Sequence, residues 1–199
     1  MTRRRHEPTV AVAVVGTLAG VPRSDAALAE PVCLALVAEG PTHGWAIARL
    51  LAPDGELGRI WSLSRPLTYR AVDQLVAAGL VARKGNEPGQ GRARTILAVT
   101  AAGRRRSRRW LDQPVDHLRD VRTALLVKLE LRRRAGLPLA PLLEAQRDAF
   151  DPIIDRLRRQ GQIDGDGDLV ALWRRESATT VERFLAAALA AERDRPGTS

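Results

Sequence analysis

One stretch restricts what this chain can become more than any other: Ile60–Val81, I-W-S-L-S-R-P-L-T-Y-R-A-V-D-Q-L-V-A-A-G-L-V, with a glycine-rich segment shortly after it. It reads as a single helix with a marked start and stop. Ser64 suits an N-cap, its hydroxyl able to accept from the orphan amides of the first turn, and Pro66 suits that turn because it has no N–H to satisfy. Leu67, Ala71, Leu75 and Ala78 recur at helical spacing, Val72 and Val76 widen the stripe, and Gly79 supplies the stop. The other face carries Arg65, Thr68, Tyr69, Arg70, Asp73 and Gln74. A short helix with one apolar face and a basic, hydroxyl-rich leading end has the chemistry to enter a DNA major groove. An ordinary solvated surface helix would show the same face, so the surroundings must decide.

On its C-terminal side the chain is hairpin-like. Leu80–Lys84 is a strand candidate, Gly85–Gly91 (G-N-E-P-G-Q-G) a turn-rich loop, and Arg92–Val99 (R-A-R-T-I-L-A-V) a returning strand with partial alternation. On its N-terminal side the chain is helical. Ala27–Ala38 is apolar, with Pro31 near its first turn, and closes at Glu39-Gly40-Pro41. Thr42 is expected to cap a second helix, His43–Leu51, and Pro53, Gly55 and Gly58 mark the loop to the third. Helix, helix, helix, hairpin is the layout of a winged helix. A glycine-rich hairpin with incidental arginines remains the plainer reading of the wing taken alone.

The charge agrees with that layout. Lys+Arg of 32 against Asp+Glu of 23 gives +9 and points to a polyanionic partner. Residues 26–112 hold 13 basic and 7 acidic residues, a net of +6, whereas 113–199 hold 15 and 14, a net of +1. The excess lies around the candidate groove helix, and includes Arg104-Arg105-Arg106 and Arg108-Arg109 on a fourth helix, Ala101–Leu111, capped by Thr100. That basic face suits either phosphate attraction or plain solvation.

From Pro114 the pattern changes to long amphipathic helices. Leu118–Arg134 aligns Leu118, Val121, Leu125, Leu126 and Leu129; Leu139–Arg159 aligns Leu142, Leu143, Phe150, Ile153, Ile154 and Leu157, with a kink or break expected near Asp151 because of Pro152. Gly161–Gly167 reads as a loop, and Asp168–Arg193 as a last helix carrying Leu169, Leu172, Trp173, Val181, Phe184, Leu185 and Leu189. So much apolar face beside a small module argues for helical dimerisation, or for a helical subdomain with a pocket. The fold class is thus mainly α with a small β-hairpin wing. The division is a mobile N-terminal extension over 1–25, a winged helix-turn-helix over 26–112 and a helical dimerisation or effector part over 113–199.

Four segments carry a family resemblance: L-A-L-V-A-E-G-P-T-H-G-W-A-I (34–47), W-S-L-S-R-P-L-T-Y-R-A-V-D-Q-L-V-A-A-G-L-V (61–81), G-Q-G-R-A-R-T-I-L-A-V-T-A-A-G (89–103) and R-D-V-R-T-A-L-L-V-K-L-E-L (119–131). Together they make the chain resemble the PadR family of winged-helix transcriptional regulators. Trp45 stands where that pattern usually has Tyr, and the 25-residue extension is unusual for it. The resemblance implies a homodimeric repressor, joined through the C-terminal helices and bound to double-stranded DNA at an inverted repeat. It also implies that release by a small aromatic or lipophilic effector is conceivable, since some members respond to phenolic acids or lipophilic drugs.

Candidate DNA contacts are Thr42 and His43 at the second helix, Ser64, Arg65, Thr68, Tyr69 and Arg70 at the third, and Gln90, Arg92 and Arg94 on the wing. Arg65 or Arg70 has the fork to read guanine, while Tyr69 could bond a phosphate. Candidate effector contacts are Trp110, Phe150, Trp173 and Phe184, which are equally suited to a plain core. A protein-interaction adaptor that has lost DNA reading is the competing class.

No enzyme, cofactor or metal is expected. His6, His43 and His117 are the only histidines, and none stands at metal-ligand spacing with Cys33. Asp164-Gly-Asp166-Gly-Asp168 begins like a calcium loop, but Leu169 and Arg175 occupy the positions where Gly and Glu belong. Cys33, the only cysteine, rules out an intramolecular disulfide and reads as a core residue. Arg3–Arg5, Val10–Val21 and Ala27-Leu28-Ala29 have the three-part layout of a secretory signal. Cleavage there would leave Glu30 at the start of a DNA-binding module, so a cytoplasmic regulator without a membrane span is expected instead.

Overall fold

The computed structural model describes residues 23–87, 94–163 and 168–194. Helix α1, Arg23–Glu39, begins before the expected Ala27 and runs through Pro31. It is apolar nearly all round, Val32, Cys33, Leu34, Ala35, Leu36 and Val37 being buried, because other elements cover it on several sides. Burial and the nearby Glu30 push the Cys33 thiol up to about 12, as suits a core cysteine. Residues 1–22 of the N-terminal extension lie outside the described residues, while Arg23–Asp25 belong to α1.

Helix α2 is Gly44–Leu50 and helix α3 is Arg65–Ala77. Ala71, Val72 and Leu75 are buried against α1, whereas Ala78, expected on the same stripe, is exposed past the last turn. The helix closes as its sequence suggests: Gly79 takes φ +66, and the amides of Gly79 and Leu80 donate back to Val76 and Leu75 at 3.0 Å each. Only glycine takes that left-handed turn without strain.

Strands β1 (Val81–Glu87) and β2 (Arg94–Val99) pair antiparallel, Val81 opposite Val99 and Glu87 opposite Arg94. The register shifts between Arg83 and Asn86, where Gly85 has φ +130. Thr42 adds a single bridge to Leu97, its N–H donating at 3.1 Å and its carbonyl accepting at 2.7 Å. Helix α4, Ala101–Asp112, begins one residue after β2.

Beyond α4 a 3₁₀ turn (Leu118–Asp120) and a π turn (Val121–Leu125) lead into α5, Leu126–Arg134. Helix α6, Ala140–Ile163, and helix α7, Leu169–Arg193, then pack side by side. Of the kink or break expected near Asp151, the break does not occur. Pro152 deprives one carbonyl of its donor, but Phe150 and Ile154 on either side are buried in one cluster, and that packing carries the helix through.

Two apolar clusters result. One gathers α1, α2, α3, the hairpin and Leu111, and includes Val127 and Leu131 of α5. The other gathers Leu125, Leu129, Leu142, Leu143, Phe150, Ile154, Val181, Leu185 and Leu189. Phe150 is fully buried in the second and lines no open site, so the effector role expected for it is corrected to a packing role. Replacing Phe150 with Ala should lower the unfolding free energy by about 3–5 kcal/mol in urea titration, the cost of deleting a buried phenyl and leaving its cavity.

Candidate nucleic-acid interface

The leading end of α3 is presented outward. Ser64, Arg65, Pro66, Tyr69 and Arg70 are exposed, as are Asp73 and Gln74 one turn on. Ser64 has the extended backbone of an N-cap, but its hydroxyl makes no capping bond. Its carbonyl instead accepts the Thr68 amide at 2.9 Å and the Thr68 hydroxyl at 3.1 Å. Thr68 is completely buried, so the expected groove contact there is corrected: its hydroxyl serves the helix's own first turn. A period count alone placed it on the polar face; its methyl, packing inward, decides the matter.

Arg65 and Arg70 form no ion pair with another described residue, so both guanidinium forks face solvent with their donors unassigned. Tyr69 is held differently. A methyl built on Gly44 would lie 2.7 Å from its Cε1, so the absence of a side chain at Gly44 gives the ring its seat against the start of α2. That start adds aromatic and basic surface that the sequence pattern does not announce. His43 and Trp45 stand with ring centroids 6.0 Å apart, and the Arg49 guanidinium lies 5.8 Å from the Trp45 ring centre. Helix α2 is only seven residues long, too short for a clear apolar stripe, and it leaves Trp45 exposed.

His43, not Thr42, caps α2: its Nδ1 accepts the Ala46 amide at 3.1 Å. With Nδ1 accepting, the second ring nitrogen is the one left to donate. Thr42 is instead half-buried and bridged through its backbone to the wing strand.

The wing joins α3 through an exposed pair, Arg83 to Asp73 at 2.6 Å. Such a pair contributes little stability but orients two flexible chains. Of the wing candidates, Arg94 opens β2, while Gln90 and Arg92 lie outside the described residues. On α4, Arg105, Arg106 and Arg109 point outward, Arg104 reaches the Val99 carbonyl at 3.3 Å, and Arg108 pairs with Asp112 at 3.5 Å.

A compact knot ties the helix, the wing and α4. The Thr100 amide donates to the Leu80 carbonyl at 3.0 Å, and its hydroxyl lies 2.9 and 3.1 Å from the Gly79 and Leu80 carbonyls. The same hydroxyl oxygen accepts the Gly103 amide at 3.0 Å, capping α4 as the sequence predicts. A methyl on Gly103 would fall 2.1 Å from the Leu80 carbonyl oxygen, so only glycine lets α4 lie this close.

The four aromatic candidates for an effector do not converge. Trp110 lines a cavity of about 470 Å³ with Ala27, Glu30, Leu34, Leu75 and Arg109, among others. Trp173 is 73% exposed on α7, Phe184 is half-buried at the second cluster, and Phe150 is sealed within it. Among the described residues no cluster of His, Cys, Asp or Glu could hold a metal ion, and no helix is long and apolar enough to cross a membrane.

Three helices, a groove-facing third and a hairpin wing define a winged-helix DNA-binding module. Residues 33–109 match the transcriptional regulator PadR-like family. No curated protein matches the chain. Among solved structures it is similar to Bacillus subtilis PadR in complex with operator DNA, at 17% identity and a TM-score of 0.43 over 83% of this chain and 99% of that one. It is also similar to smu.1604c from Streptococcus mutans, at 15% identity and TM-score 0.38 over 81% and 98%. Bacillus subtilis PadR in complex with p-coumaric acid gives 17% and 0.39 over 89% and 100%.

Gly44→Ala should displace the Tyr69 ring and weaken binding to duplex DNA about tenfold, equivalent to about 1.4 kcal/mol. Circular dichroism should show unchanged helix content, and an unchanged DNA affinity would show that the Tyr69 seat is immaterial.

Proposed function

We propose that this protein is a PadR-family transcriptional regulator, a homodimeric repressor acting in the cytoplasm on an inverted-repeat operator. The observation that carries the reading is the division of α3. Ala71, Val72 and Leu75 fasten it to α1, while Arg65, Tyr69 and Arg70 project from its leading end. Arginine forks at a helix start can bond guanine O6 and N7 in the major groove. Ser64 and His43 flank that end with a hydroxyl and an imidazole suited to phosphate oxygens, and Thr42 lies beside them. Gln90, Arg92 and Arg94 are the proposed wing contacts to the flanking backbone.

In this reading residues 26–112 bind DNA and 113–199 hold two copies together. The leading turns of α7 support the pairing: Leu169, Val170, Leu172 and Trp173 are all exposed, a large apolar surface for one chain to leave in water. Two recognition helices should then sit about 34 Å apart, one turn of DNA. A small aromatic or lipophilic effector is the proposed releasing signal, with the cavity beside Trp110 as the place that supports it.

Gel shifts on the DNA upstream of the protein's own gene test the assignment. Arg65→Ala and Arg70→Ala should each lose about 1–3 kcal/mol of discrimination between operator and mismatched sequence. If the dimer neutralises about eight phosphates, log K should fall with log salt at a slope near −7. Binding left unchanged by both substitutions would remove these residues from the interface, and weak, salt-insensitive binding would favour a protein-interaction adaptor.

A further inference from the structure

The connector between α4 and the C-terminal helices, Leu111–His117, has the composition of a loose linker: L-D-Q-P-V-D-H. Its backbone is nonetheless held at three successive places by buried polar side chains from the other half. Arg132 of α5, 3% exposed, donates to the Leu111 carbonyl at 3.2 Å and pairs with the Asp112 carboxylate. Its remaining donors reach the Pro138 carbonyl at 3.0 and 2.6 Å. Lys128, one turn earlier on the same face, donates to the Gln113 carbonyl at 2.6 Å and stands 5.0 Å from the Trp110 ring centre. Gln146 of α6, fully buried, closes both backbone groups of Val115: it accepts the amide at 2.7 Å and donates to the carbonyl at 2.9 Å.

The other flank of α5 is equally engaged. Arg134 forks onto the Glu39 carboxylate at 2.9 and 2.7 Å and also pairs with Glu56. Glu130 receives Arg133 at 2.5 Å and Arg59 at 3.7 Å. Between these polar edges, Val127 and Leu131 enter the first apolar cluster and Leu125 and Leu129 the second. A nine-residue helix, with Leu125 just before it, thus touches both cores, the connector and the loop before α3.

Buried charges cost desolvation, and in some proteins their bonds fix one arrangement against others. The cost is visible at Lys128, where burial pulls the ammonium down to about 8 against the opposing pull of Asp116. Apolar residues on this face would fill the space but leave the sliding and twisting of the connector unspecified.

We infer that Lys128, Arg132 and Gln146 are positioning residues for DNA binding: with α5 they lock the winged helix to the C-terminal helices as one body. The spacing of the two recognition helices is then set at the dimer interface and delivered through α5, with no flexible tether between. This rests on the dimeric-operator reading for its consequence, but not for the lock itself.

Calorimetry of the full chain tests the lock without DNA. Wild type should melt in one transition, and Lys128→Met and Gln146→Leu in two resolved transitions, one for each apolar cluster. Lys128→Met keeps the stem over Trp110 and is the milder change, so it reports if Gln146→Leu fails to fold. A single transition in both variants, merely shifted to lower temperature, would overturn the inference. Binding to a DNA series whose half-site spacing varies by about two base pairs either way tests the consequence, one turn being the spacing expected of paired recognition helices. Wild type should favour one spacing at least tenfold, and Lys128→Met should flatten that preference to within threefold while keeping its half-site affinity. A variant that retains the wild-type preference contradicts the proposal. Wild type lacking any preference would refute the dimeric operator, with calorimetry still deciding the lock.

Discussion

The carbonyl groups of Gly79 and Leu80 and the hydroxyl of Thr100 form the joint on which the DNA-binding half depends. Four elements end or begin there: α3, β1, β2 and α4. The left-handed Gly79 turns the chain out of α3, and Thr100 ties β2 and α4 back to that turn. The Gly103 contact with Leu80 leaves no room for a side chain. Because a packed joint of this kind has no soft degree of freedom, the wing and the recognition helix cannot choose their angle independently. The Arg83–Asp73 pair adds a second tie farther out, weak in energy yet consistent in direction.

Given that joint, the chemistry of the outer surface is determined. Helix α3 offers arginines and a tyrosine at its amino end, where unpaired amides and the helix dipole already favour anions. The start of α2 lies against Tyr69 and contributes His43, whose capping bond uses only one of its ring nitrogens. Exposed arginines along α4 add positive charge to the same module. On the proposed reading, base reading and phosphate attraction fall on different elements held by one core.

Much of this was legible in the sequence because the signals were local. Pro66 at a start, Gly79 at a stop and Thr100 as a cap act within one turn, and the structure has helix ends at each, although the Ser64 hydroxyl makes no capping bond. The winged-helix order and the PadR-like family were also readable from contiguous motifs. The remainder depends on long-range packing. Thr68 lies on the polar side by periodicity, yet the protein buries it. Helix α6 survives Pro152 because neighbours across the bundle hold it. Lys128, Arg132 and Gln146 look like solvated polar positions until the connector folds over them. The wing positions Gln90 and Arg92 lie outside the described residues.

Methylation interference offers the most direct test that the leading end of α3 reads the major groove. Guanine N7 lies in that groove, within reach of Arg65 or Arg70, whereas adenine N3 lies in the minor groove. On DNA bound by the protein, N7 methylation at guanines in two patches about one helical turn apart should abolish binding. Arg70→Ala or Arg65→Ala should erase interference at its own guanine. Binding that is indifferent to N7 methylation throughout the site, or blocked only by minor-groove methylation, would contradict the account.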